Sequence, residues 1–106
     1  MVPIGKIRSF SARIAQEFRP ERIILFGSHA RRRPRPDSDV DLLVILRFRG
    51  HPARKAAEIR SRVEAGFPLD LLARTPAQVT RRLKSGDFFM QEVIQEGVTL
   101  YEATDG

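Results

Sequence analysis

The sequence predicts an α/β (α+β) domain, a small mixed sheet of three to four strands covered by helices, and three observations predict it. Short apolar runs the length of buried strands occur at 22–26, 40–46 and 67–73. Segments before, between and after them carry apolar residues at helical spacing. Glycine, proline and capping residues stand at the boundaries between the two kinds of segment. Strands and helices that alternate in this way pack as a sheet covered by helices.

Each element has its own signal. Ile7, Phe10, Ile14 and Phe18 recur at helical spacing, so 4–18 reads as an amphipathic helix that Arg19-Pro20 ends. Residues 22–26 (RIILF) form a β-branched strand, which Gly27 breaks, and Ser28 is placed to cap a short helix. The stretch 32–37 must be loop, because Pro34 and Pro36 forbid regular structure. Residues 40–46 (VDLLVIL) are apolar on both faces, the pattern of a central strand. A helix over 53–65 turns Ala56, Ile59 and Val63 inward and stops at Gly66. The strand 67–73 contains Pro68, which limits its first positions to a sheet edge or a strand start. Thr75, Pro76 and Gln78 form the capping box of the next helix, which Gly86 ends. Asp87 caps a last helix with Phe89, Met90, Val93 and Ile94 on its inner face, Gly97 ends it, and 98–102 (VTLYE) reads as a final strand.

At 106 residues the chain suits one domain, 1–106, with a modest core. It has no cysteine, which excludes a disulfide framework, a thiolate metal site and a cysteine nucleophile. No apolar run approaches the roughly 20 residues that span a bilayer, and the N-terminus lacks a signal-peptide core. These features suit a cytoplasmic protein that does not enter a membrane. The net charge of +6 favours anionic partners: nucleic acid, nucleotide phosphates or an acidic protein surface. Genome composition or life at high temperature would produce the same arginine-rich balance.

The chemistry is concentrated in two segments. Asp39 and Asp41 are two residues apart at the start of the central strand, so both carboxylates point to one face with Cα atoms about 6–7 Å apart. Two carboxylates at that spacing can share hard divalent cations, and phosphoryl-transfer sites hold two metals about 3.5–4 Å apart. Magnesium suits such a site because phosphate and water complete its coordination. Leu43 and Ile45 continue the same face, which puts the charges at the strand's mouth and the core behind them. An isolated D-x-D also fits a loop cap, or a partner for nearby arginines. Upstream, Phe26-Gly27-Ser28 leads from a strand into a turn where glycine lets the backbone approach a phosphate. The short loop to Asp39 allows the two strands to pair antiparallel, with both signals at one end of the sheet.

Gly27-Ser28-His29-Ala30-Arg31, followed by Ser38-Asp39-Val40-Asp41-Leu42-Leu43-Val44, resembles the signature of the minimal nucleotidyltransferases, small members of the polymerase-β-like superfamily. Their usual form is G-S-x-A-R-G, a short spacer, then S-D-x-D-L-x-V. The element order and the ending Glu96-Gly97-Val98-Thr99-Leu100-Tyr101 are similar as well. The resemblance implies a polymerase-β-like fold and Mg2+-dependent transfer of a nucleoside monophosphate, AMP from ATP foremost, to a hydroxyl on a partner macromolecule. It implies metal ligation by Asp39, Asp41 and a third carboxylate on a neighbouring strand, for which Asp70 is the candidate; an edge aspartate facing solvent is the alternative. It implies nucleotide binding by Gly27, Ser28, Arg31 and Ser38. Arg31 is equally placed to pair with Asp37 or Asp39. Arg32 stands where the family carries glycine, and if a positive φ is needed there the arginine is strained.

Minimal family members often pair with a small helical HEPN protein as a toxin–antitoxin system, so the resemblance implies such a partner alongside the nucleoside triphosphate. A non-catalytic antitoxin that acts by contact alone is the second reading. A nucleic-acid-binding domain, supported only by charge, is the third, and homo-oligomers stay open. Arg32, Arg33 and Arg35 read as a solvated loop, and neither His29 nor His51 has a ligand partner at metal-binding spacing. Phe88, Phe89 and Met90 read as core or as a contact surface.

Overall fold

Val40–Ile45 is flanked on both sides by other strands, as its two-faced apolar pattern requires. A computed structural model describes residues 1–104. In chain order the elements are α1 (Ile4–Phe18), β1 (Arg22–Phe26), β2 (Val40–Ile45), α2 (Pro52–Arg62), β3 (Leu69–Arg74), α3 (Pro76–Lys84), α4 (Phe88–Glu96) and β4 (Val98–Glu102). The sheet order is β3-β2-β1-β4. β1 runs antiparallel to β2 and to β4, and β2 runs parallel to β3. This is the expected α+β fold with a mixed sheet.

Strand alternation divides the core into two layers. Ile23, Leu25, Val40, Leu42 and Val44 pack with Ile7, Phe10 and Ile14 of α1 and Ile59 of α2. Ile24, Leu43 and Ile45 face the other way, onto Val79 of α3 and Met90 and Val93 of α4. The sheet is therefore covered on both faces.

The boundaries follow local hydrogen bonding. The capping box at Thr75 forms as expected: Gln78 N–H donates to Thr75 Oγ1 (3.1 Å), and Thr75 N–H donates to Gln78 Oε1 (2.9 Å). β3 starts at Leu69 rather than Phe67, because Pro68 has no N–H to give a ladder; its carbonyl accepts from Val40 N–H (2.9 Å). β3 lies at the sheet edge, where that proline belongs. α2 is capped by His51, whose Nδ1 accepts from Ala53 N–H (3.1 Å). It ends where Val63 turns extended, ahead of Gly66. α4 buries Met90 and Val93, but Phe89, expected on its inner face, is 46% exposed and meets Phe26 edge-on. Gly97 joins α4 to β4, and a Cβ there would overlap Ile24 Cγ2 and the Val93 carbonyl.

Candidate active site

The β1–β2 hairpin and the β2–β3 parallel pair bring three carboxylates to one end of the sheet. Asp41 is in register with Phe26 at the end of β1 and with Asp70 near the start of β3. Neighbouring strands are about 4.8 Å apart, and residues in register share a face, so Asp41 and Asp70 stand side by side. Asp39, just ahead of β2, projects to the same side by the two-residue alternation. The next residues along this face of β2, Leu43 and Ile45, are buried under α3 and α4. Asp41 is half-buried, whereas Asp39 and Asp70 are exposed, so the row opens to solvent.

The electrostatics bear out the proximity. Burial raises the pKa of Asp41 above the usual carboxylate value, the charges of Asp70 and then Asp39 raise it further, and His29 opposes them. The half-buried Asp41, with two like charges beside it, is the member of the row whose ionisation is disfavoured.

Gly27 closes the site from the β1 side. Its φ is +75°, and an added Cβ would overlap the Asp41 carboxylate, with Cγ at 3.1 Å. Only glycine lets the backbone lie this close to Asp41. Beyond it the chain makes one hydrogen-bonded turn, not the short helix expected with Ser28 as its cap. Arg31 N–H donates to the Gly27 carbonyl (3.2 Å), Arg32 N–H to His29 (3.4 Å) and Arg33 N–H to Ser28 (3.0 Å). The last two bonds are the pattern that closes a helix C-terminus around a left-handed residue. That residue is Arg32, at φ +57°.

The remaining expected site residues are placed as follows. Ser38 Oγ accepts from Arg35 N–H (2.8 Å) and orders the loop just before Asp39. Arg31 pairs with Glu92 of α4, not with Asp37 or Asp39, and both line a small hollow of about 240 Å³ beside Phe26 and Gly27. Glu92 lies 61 residues along the chain from Arg31, and no local pattern links them. His29, read from sequence as filling a variable motif position, is tied in: Nε2 accepts from Val2 N–H (3.3 Å), and Nδ1 is buried without a partner.

Among the described residues, no three His, Asp or Glu side chains converge into a ready-made metal cage. An open row of carboxylates nonetheless suits magnesium. That ion keeps several waters and binds through one or two carboxylates plus substrate phosphates rather than in an all-protein cage.

The polymerase beta nucleotidyltransferase family model matches residues 10–105. No curated protein matches the chain. Several solved structures share the fold. One is a protein from Sulfolobus solfataricus described as a candidate nucleotidyltransferase, at TM-score 0.66 and 18% identity, covering 96% of this chain and 82% of that one. Another is a toxin–antitoxin with AMP-PNP, at TM-score 0.59 and 19% identity, covering 92% and 74%. A third is the toxin–antitoxin MntA-HpeT with two aspartates replaced by glutamate, at TM-score 0.57 and 16% identity, also covering 92% and 74%. At these identities the likeness is one of fold.

Proposed function

The chain belongs to the polymerase beta nucleotidyltransferase family, and on that premise we propose that it is a Mg2+-dependent enzyme that transfers a nucleoside monophosphate, AMP from ATP, to a hydroxyl on a partner protein. We read residues 1–106 as a single minimal nucleotidyltransferase domain. The observation that carries this reading is the register of Asp41 with Asp70, which sets two carboxylates side by side next to Gly27, with Asp39 on the same face.

In this reading Asp39, Asp41 and Asp70 hold the metal ions. When bound, two Mg2+ ions neutralise charge on the attacking and leaving oxygens. The backbone around Gly27 and Ser28 lies against the phosphates, and Ser38 keeps the loop that carries Asp39 in place. In this reading Arg31, which pairs with Glu92 beside the small hollow, exchanges that carboxylate for the nucleotide's phosphates. The acceptor hydroxyl oxygen bonds to the α-phosphorus, the bond from that phosphorus to the bridging oxygen breaks, and pyrophosphate leaves. Asp70, exposed at the edge strand, takes the hydroxyl proton.

The partner is a HEPN-type protein, and the pair works as toxin and antitoxin. Support comes from the signature resemblance and from fold neighbours that are toxin–antitoxin proteins, one with AMP-PNP. A second reading, a non-catalytic antitoxin that neutralises its partner by contact, is favoured by the engagement of Arg31 with Glu92. The test is to incubate the protein with the partner that co-purifies from the native host, labelled ATP and Mg2+. The catalytic reading expects label on the partner, lost in Asp39→Asn and Asp41→Asn. If wild type transfers no label and both variants still neutralise the partner fully, the contact-only reading replaces it.

A further inference from the structure

A groove of about 1070 Å³ runs along the outer edge of β3, between α2 and α3. Along β3 its lining runs from Leu71, next to Asp70, to Arg74, four residues beyond Asp70 and about 13 Å away at strand spacing. Its floor is apolar, with Ala56 and Ala57 of α2 against Leu71, Leu72 and Ala73 of β3. Among the described residues its walls carry Arg60, Arg74, Arg81 and Arg82 and no carboxylate.

Two features say what would fill it. The first is an unpaired strand edge. Val40 N–H donates to the Pro68 carbonyl and Leu46 N–H to the Arg74 carbonyl, so the even-numbered residues of β3 turn their backbone groups toward β2. By alternation Leu69, Leu71 and Ala73 turn theirs outward, and Leu71 and Ala73 line the groove. The Ala73 carbonyl is met by the Arg74 guanidinium (2.7 Å), a side chain that can swing away. An edge of this kind is a template for an incoming strand. The second feature is uncompensated charge. Arg82 pairs with Asp87 (3.0 Å), but Arg60, Arg74 and Arg81 have no carboxylate partner among the described residues. Burial, and then the neighbouring Arg82, hold the Arg74 guanidinium below its ordinary pKa. Among the described residues the lining contains no Phe, Tyr or Trp on which bases would stack, and aromatic platforms are how single-stranded nucleic acids are commonly held.

We propose that this groove docks an extended acidic segment of a partner protein, which pairs with β3 as a further strand and sets its carboxylates against Arg60, Arg74 and Arg81. The site needs no nucleotide chemistry, so it stands whether or not the protein is an enzyme.

The test is fluorescence anisotropy with a labelled peptide of about ten residues that alternates threonine and glutamate, a length that covers one strand edge. Saturable binding is expected, weakened roughly tenfold or more in Arg60→Glu and in Arg81→Glu and unchanged in Asp41→Asn. Circular dichroism checks that the variants fold. Two further peptides, methylated on the threonine or on the glutamate backbone nitrogens, keep the charge and probe strand pairing on wild-type protein alone. One of the two should lose binding, because one set of N–H groups faces β3. The proposal is overturned if both methylated peptides bind like the parent, if the arginine variants bind normally, or if the parent fails to bind. It is also overturned if a single-stranded oligonucleotide of equal charge binds more tightly and is lost in the same variants.

Discussion

Replacing Arg32 by glycine should stabilise the protein. Arg32 sits at φ +57°, where its N–H donates to His29 and the next N–H donates to Ser28, closing the turn after Gly27. The left-handed conformation costs a residue with a Cβ about 1–2 kcal/mol. Glycine escapes that cost but gives the unfolded chain more freedom, which takes back about 0.5–1 kcal/mol. The Arg32 side chain makes no ion pair or hydrogen bond among the described residues, so little else is lost. The balance is a gain of about 0.5–1 kcal/mol, or a rise in Tm of roughly 2–8 °C for a chain of this size. Urea and thermal unfolding of wild type, Arg32→Gly and Arg32→Ala measure it. The alanine variant keeps the Cβ and should show no comparable gain. Equal gains in both variants would assign the effect to the guanidinium charge, and an unchanged or lower Tm in Arg32→Gly would refute the backbone argument.

Other substitutions test other parts of the account. Gly27→Ala puts a Cβ into the Asp41 carboxylate; transfer activity should fall roughly a hundredfold while unfolding shows a loss of only about 1 kcal/mol. Asp41→Asn should abolish transfer yet raise stability in metal-free buffer by about 0.2–1 kcal/mol, the scale of a like-charge cross-strand pair, with the lower end favoured at an open site screened by solvent. The sign follows from burial and the neighbouring Asp70 and Asp39, which raise the folded-state pKa of Asp41. Wild-type stability is therefore lost as pH rises from the unfolded value of 3.8 through the folded one, and the gap to Asp41→Asn should open in that window and stay open above it. Thr75→Ala removes the capping-box acceptor of α3 and should cost about 1 kcal/mol in urea unfolding.

The parts of the fold that could be read from sequence were those set by neighbouring residues. The Thr75-Pro76-Gln78 cap needs only three side chains within one turn, and it forms as read. The start of β3 directly after Pro68 followed from that residue's missing N–H. The turn after Gly27 was misjudged as a helix start because Ser28 suits a cap, but Arg32 goes left-handed within one turn and closes it. Strand periodicity alone put Asp39 and Asp41 on one face. The neighbouring place of Asp70 was expected from the family resemblance and depends on the parallel register through α2. Contacts across long stretches of chain were not legible: the pairing of Arg31 with Glu92, the tie between His29 and Val2, and the groove between α2 and α3 all arise only when distant elements meet. Phe89 was misplaced because helical spacing identifies an apolar face but not how far the sheet beneath it extends.

The most direct test of the central claim follows the two ends of ATP separately. Wild-type protein, its co-purified partner and Mg2+ are incubated in parallel with ATP labelled at the α-phosphate and at the γ-phosphate, alongside Asp41→Asn. The carboxylate row next to Gly27 predicts α-label on the partner, γ-label in free pyrophosphate, and neither product with the variant. Label from the γ-position on the partner, or α-label transferred equally by Asp41→Asn, would contradict it.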